Sequence, residues 1–151
     1  TLIEYTSYNP DQLIAIMEGI AAKDGDTFAP DALLSLRESF AQYYNAQITS
    51  SEGDVIRVID GLGNGRFVRT VVEKAQLNRN SRIVSSLGVS SDDLPDPDFG
   101  TDLDADMLTL LTAEDVHYGH QQALPPEMRT NGARASDWLR ESEERRRTQT
   151  Q

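Results

Sequence analysis

The chain opens on an alternating run, Leu2, Glu4, Thr6 and Tyr8 against Ile3, Tyr5 and Ser7, and then changes period. The β-branched and aromatic content of Thr1 to Tyr8 predicts a strand. A lone strand leaves its backbone groups without partners, so it is expected to belong to the sheet of a neighbouring domain. From Asn9 onward the apolar positions recur at helical spacing. Asn9-Pro10-Asp11 marks a helix start, with Asn as N-cap, Pro in the first helical position and an acid at the positive end of the dipole. Leu13, Ile16, Met17 and Ile20 form its stripe, and Gly25 predicts its stop. Pro30-Asp31 starts a second helix with the stripe Leu33, Leu36, Phe40 and Tyr44.

Thr49 to Asp54 predicts a loop, and Val55 to Ile59 is a short apolar stretch before Asp60-Gly61-Leu62-Gly63-Asn64-Gly65-Arg66. A third helix follows, with Phe67, Val68, Val71, Val72, Ala75 and Ile83 on one broad face and an end expected near Gly88. Ser90 to Asp106 is polar and acidic with two prolines, which predicts a long loop. Thr112 caps a fourth, short helix with Glu114 and Asp115 in its first turn, running to about Ala123 before Pro125-Pro126. A further helix from Ser136 to Arg147 has only Trp138 and Leu139 as apolar anchors. The expected architecture is mainly α. Residues 1–9 form a strand and hinge, 10–124 a small four-helix domain, and 125–151 a tail that is partly helical.

Charge changes this picture in one respect. The formal net charge is −11, and no Lys or Arg occurs between Arg82 and Arg129. That stretch carries ten acidic residues, seven of them from Asp92 to Asp106. An acidic chain with no strong basic cluster argues against nucleic acid, and the terminal Arg145-Arg146-Arg147 is interleaved with too many glutamates to reverse this. The 151 residues suit one domain. The absence of cysteine removes disulfide and thiolate chemistry and fits a reducing cytoplasm. No apolar run approaches the ~20 residues that cross a bilayer, so membrane insertion is not expected. A first residue other than Met, followed by an orphan strand, suggests a domain excised from a longer protein.

ATP hydrolysis needs a phosphate-cradling loop of the form G-x-x-x-x-G-K-[ST]. The only lysines are Lys23 and Lys74, neither follows a glycine, and both fall on predicted helices. The chain therefore cannot be a self-contained P-loop enzyme. The run Gly61 to Arg66 is spaced G-x-G-x-G, not as a dinucleotide fingerprint, and composition alone reads it as a flexible turn in which Asn64 or a neighbour caps the next helix. Arg66 is the exception. A cation in the first turn opposes the helix dipole, and a phosphate at that helix end would compensate. Arg69, one turn on, either assists or is solvated.

The acidic run Asp96 to Asp106 fails as a calcium loop. Counting from Asp96, the Gly and Glu positions hold Thr101 and Met107; counting from Asp102, they hold Met107 and Ala113. His117 and His120 lie three apart beside Glu114 and Asp115, too few for a closed metal shell. They read instead as dipole-stabilising or solvent-facing histidines, and no metal site is expected.

Tyr8-Asn-Pro-Asp-Gln-Leu13, Phe28-Ala-Pro-Asp-Ala-Leu33 and Gly63-Asn-Gly-Arg-Phe-Val-Arg69 together resemble the C-terminal lid of CbxX/CfqX-type AAA+ ATPases. Within that group the closest resemblance is to the EccA ATPases of type VII (ESX) secretion systems. Thr70-Val-Val-Glu-Lys-Ala75 and Leu111-Thr-Ala-Glu-Asp-Val116 extend the resemblance, which covers about Leu2 to Ala123. It implies that the opening strand is the last of an α/β core. It gives Arg66 the part of sensor 2, assisting hydrolysis at the terminal phosphate of ATP, with Asn64, Gly65 and Arg69 also binding the nucleotide. Mg²⁺ would be held by the missing core. It further implies a cytoplasmic homo-hexamer whose partners are its own core, the neighbouring subunit's core, secreted substrates and the export machinery. Arg79, far from the start of the same helix, is the natural control for Arg66. The alternatives are a stand-alone helical interaction module without ATPase role or, more weakly, a divalent-cation sensor.

Overall fold

The computed structural model describes residues 7–50, 52–86, 108–129 and 135–149. The predicted strand up to Thr6 and the acidic stretch 90–106 lie outside them. Helix α1 spans Pro10–Lys23, strand β1 Thr27–Phe28 and helix α2 Pro30–Asn45. Strands β2, Gln47–Thr49, and β3, Val55–Arg57, lead to helix α3, Val58–Leu62, and helix α4, Gly65–Ser86. Strand β4 is Leu110–Leu111, followed by helices α5, Ala113–Ala123, α6, Pro126–Arg129, and α7, Ala135–Gln149. The protein is mainly α, as the pattern predicts.

The predicted caps form. Asn9 accepts from the Gln12 backbone while the Gln12 side chain accepts from the Asn9 N–H, a reciprocal box. Thr112 and Asp115 form the same device at α5. Gly25, in the left-handed region at φ 77°, follows α1.

The apolar face of α4 is buried as its spacing predicts, with Val68, Val71, Val72 and Ala75 fully so. It packs most extensively on α5, where Gly119 sits against the α4 backbone. A Cβ on Gly119 would stand 2.3 Å from the Val71 carbonyl oxygen and 2.8 Å from the Ala75 nitrogen. The absence of a side chain there sets the helix separation. Phe40, Tyr43, Phe67 and His120 form an aromatic cluster between α2, α4 and α5, with ring centroids 5.8–6.2 Å apart.

The α2 stripe is rotated from its expected position. Tyr43, not Tyr44, is buried. The Tyr43 hydroxyl lies 2.8 Å from Nε2 of His120, whereas the Tyr44 ring takes the Arg57 guanidinium at 4.1 Å from its centroid. Two short pairings were also outside the predicted pattern. β1 and β4 pair in parallel, Thr27 opposite Leu110, and β2 and β3 form an antiparallel hairpin, Ile48 opposite Ile56. The apolar stretch Val55 to Ile59 divides into β3 and the start of α3, with Val58 and Ile59 fully buried.

Helix α7 begins one residue before the predicted tail helix and runs two beyond it. Its anchor Leu139 is 1% exposed and belongs to the common core. Leu139 and Trp138 press on Gly61 of α3, where an added Cβ would meet Leu139 Cδ1 at 2.6 Å.

Candidate functional site

The segment Gly61 to Arg66 joins two helices rather than a strand to a helix. Gly63 caps α3 in the left-handed region at φ 111°, and Asn64 follows at φ 49°. Two successive positive φ values reverse the chain between α3 and α4, and Gly and Asn are the residue types that tolerate them. Asn64 does not cap α4 with its side chain. Its Nδ2 donates to Asp60 at 3.1 Å, and its Oδ1 accepts from the Tyr8 N–H at 3.2 Å. The turn is therefore fastened to the segment that enters α1.

Arg66 then falls in the first turn of α4, as the sequence predicts, and is exposed. With Gly65 and Arg69 it lines a cleft of about 570 Å³ against α1. The α1 wall consists of Ile16, Gly19, Ile20 and Lys23. The apolar residues Ile16 and Ile20, expected in the helix core, are only partly buried because they line this cleft.

Three cations thus share one cleft, and among the described residues no carboxylate lines it. Among the described residues none of the three side chains makes an ion pair. This donor set fits a polyphosphate: cationic side chains at the start of a helix, and at Gly65 no side chain between the backbone and the cleft. Lys23 was not among the residues read as candidates from the sequence. Its position in the last turn of α1 suggests only dipole stabilisation, and nothing in the pattern places α1 beside the start of α4.

The second half of α4 treats its arginines differently. Arg79 Nη1 lies 2.5 Å from Asp26 Oδ1, in a pair whose side chains are 10% and 5% exposed. Asp26 also accepts from Gln76. Arg79 is thus no neutral control for Arg66, contrary to expectation, because removing it strands a buried carboxylate. Arg82 pairs with the fully buried Asp115 at 2.8 Å. Burial pushes the Asp115 carboxyl up, but hydrogen bonds from Arg82, Thr112 and Asn78 outweigh it and hold the group below the ordinary carboxylate value.

His120 also departs from expectation. It neither faces solvent nor serves the dipole as a cation, but is buried against Tyr43 and Phe67. Burial, reinforced by the charge of His117, lowers its pKa to about 4, so the ring is neutral at pH 7. Burial likewise pushes the Tyr43 hydroxyl up to about 12. His117 itself is exposed. Among the described residues no group of three or more His, Asp or Glu is placed to hold a metal ion, and no helix is long and apolar enough to cross a membrane.

Residues 9–126 match the AAA lid domain family, and the chain belongs to it. It is 42% identical over 83 residues to the ESX-5 secretion system protein EccA5 of Mycobacterium marinum, which covers 55% of this chain and 14% of that protein. It is 32% identical over 114 residues to the ESX-3 secretion system protein EccA3 of Mycobacterium leprae, covering 76% of this chain and 16% of that protein. The ESX-1 secretion system protein EccA1 of Mycobacterium tuberculosis is 28% identical over 91 residues, 60% of this chain and 15% of its own length. The chain thus spans about one-seventh of the length of these relatives. No solved structure matches it.

Proposed function

We propose that this lid senses the nucleotide bound to a AAA+ core and turns its hydrolysis into movement, in a protein that serves type VII secretion. The observation that carries the reading is the cleft lined by Lys23, Arg66 and Arg69 in a chain of net charge −11. Among the described residues these three exposed cations have no carboxylate partner, and like charges lining one cleft favour an anion between them. Arg66 would hold the terminal phosphate of ATP, with Arg69 and the Gly65 backbone beside it. ATP supplies the phosphoanhydride, and the core would supply Mg²⁺ and the attacking water, because this chain has no phosphate loop of its own. Asn64 supports this arrangement from behind, through its bonds to Tyr8 and Asp60, rather than by lining the cleft.

When the terminal phosphate departs, Arg66 would lose its partner and the lid its reason to stay closed. Rotation would then occur in the segment Ser7 to Pro10, where the chain enters α1. The likeness to ESX secretion system proteins supports a place in secretion; we further propose a homo-hexamer working in the cytoplasm on secreted substrates, each lid contacting its own core and a neighbour's. In the full-length protein, Arg66→Ala is expected to lower steady-state ATP turnover about a hundredfold. Lys74→Ala, on the same helix and outside the cleft, is the control and should leave turnover unchanged. Wild-type turnover in the Arg66→Ala protein would sink the assignment.

A further inference from the structure

We infer that Asp60 is a positioning residue that couples Arg66 to the hinge, an inference that rests on the sensing role proposed for Arg66. Asp60 lies on the five-residue helix α3, and its two carboxylate oxygens are used differently. Oδ2 accepts from the Arg57 N–H at 2.9 Å, a local bond that closes the start of α3. Capping α3 needs nothing more. Oδ1 instead accepts from two other parts of the molecule, the Ser7 hydroxyl at 2.7 Å and Asn64 Nδ2 at 3.1 Å. Asn64 passes the connection on, because its Oδ1 accepts from the Tyr8 N–H at 3.2 Å.

One carboxylate therefore holds Ser7 directly, Tyr8 through Asn64, and the turn that precedes Arg66, joining two segments more than fifty residues apart in sequence. The anchor itself is fixed. Val58 and Ile59 are fully buried, and Leu139 and Trp138 of α7 press on Gly61 from the other side. Between Asp60 and Arg66 the chain has little slack, since Gly63 donates back to the Asp60 and Ile59 carbonyls and Arg66 donates to that of Gly63. A pull on Arg66 then reaches Ser7 and Tyr8 through hydrogen bonds rather than through a flexible loop.

The test is a double-mutant comparison of ATP turnover in the full-length protein, with kcat and KM for ATP measured separately. Asp60→Ala is expected to lower kcat about tenfold and to raise KM for ATP as well, since a displaced Arg66 loses hold on both the bound nucleotide and the transition state. In the Arg66→Ala background the same change should have no further effect on kcat. A merely structural Asp60 would depress both backgrounds equally, and that result overturns the coupling. Normal kcat for Asp60→Ala alongside a crippled Arg66→Ala removes the coupling and leaves the sensing role intact. Normal kcat for Arg66→Ala removes the sensing role and this inference with it. Should Asp60→Ala fail to fold, Ser7→Ala deletes only the hydroxyl that reaches Oδ1. It should lower kcat about threefold, again only when Arg66 is present; no change would count against the coupling.

Discussion

Helix α4 carries two pairs of arginines with the same spacing, Arg66 and Arg69 at its start and Arg79 and Arg82 in its second half. The second pair is fully engaged, Arg79 by Asp26 from the turn after α1 and Arg82 by Asp115 from the first turn of α5. The first pair shares a cleft with a third cation, Lys23, and among the described residues meets no carboxylate there. The chain has 25 acidic residues against 14 basic ones, so acids are available to both halves. The lesson is that residue type and helical position do not decide an arginine's part. The decision lies with the acids that other elements deliver, and the cations left over are the ones on which the proposed anion site rests.

The difference should appear first in stability. Arg79→Ala leaves the Asp26 carboxylate buried with only Gln76 to meet it, and removing one partner of such a pair costs about 3–5 kcal/mol. Chemical denaturation of this chain should show that loss as a lower midpoint at unchanged slope. A loss below about 1 kcal/mol would place Arg79 with the surface arginines and erase the contrast.

Gly119→Ala tests the same half of α4 without touching a charge. The added methyl meets the backbone of Val71 and Ala75, which cannot swing aside as a side chain would. Overpacking of this kind costs about 3 kcal/mol. Near-wild-type melting for Gly119→Ala would mean that α4 and α5 can separate freely, and the ion pairs alone would then have to hold that end.

The buried end should also respond to pH. His120 has a folded pKa of about 4 against an unfolded value of about 6.5, so the unfolded state binds its proton first. The stability contributed by the neutral ring is complete above pH 6.5, falls as pH drops, and is exhausted once the folded pKa is passed. Between pH 6.5 and 5 the loss is about 2 kcal/mol. Asp115 is also held below its ordinary value, so its contribution likewise fades with acid, but in a lower window that begins near the ordinary carboxylate pKa. Replacing His120 by Phe should flatten the profile from pH 6.5 to 5 and leave the lower limb in place. An unchanged upper limb would shift the assignment to another group.

Much of this was legible in the sequence, and what was not has one cause. Asn9-Pro10 and Thr112 mark true helix starts because a cap is a local device whose partner lies three residues away, and Pro30 marks one because its fixed φ suits the first helical position without any side-chain cap. The face Phe67, Val68, Val71, Val72 and Ala75 was readable because burial follows helical period. Arg66 was placed correctly at its helix start for the same reason. Asp26 with Arg79, Asp115 with Arg82 and Tyr43 with His120 span 53, 33 and 77 residues, and no local pattern carries that information. Lys23 escaped notice because its meaning depends on a neighbouring helix. Asp60 escaped because a carboxylate before a glycine-rich turn looks like a solvated loop residue until Ser7 is brought to it.

The smallest effects on folding belong to the cleft, and their signs distinguish its cations. Arg66 stands at the positive end of the α4 dipole, so Arg66→Ala should leave stability unchanged or raise it by a few tenths of a kcal/mol. Lys23 stands at the negative end of α1, so Lys23→Ala should lower stability by a similar amount. Both effects should shrink in high salt, where exposed charges are screened. Against this quiet background an anion can be tested directly on the chain. Inorganic triphosphate at tenfold its dissociation constant should stabilise the wild type by about 1.4 kcal/mol, since it binds the folded cleft and not the unfolded chain. Arg66→Ala and Lys23→Ala should each lose most of that gain, although one begins slightly more stable and the other slightly less. A triphosphate response equal in all three proteins would mean that the cleft does not gather its cations around an anion. The unpaired end of α4 would then be solvated surface, and the contrast between its two halves would have no bearing on function.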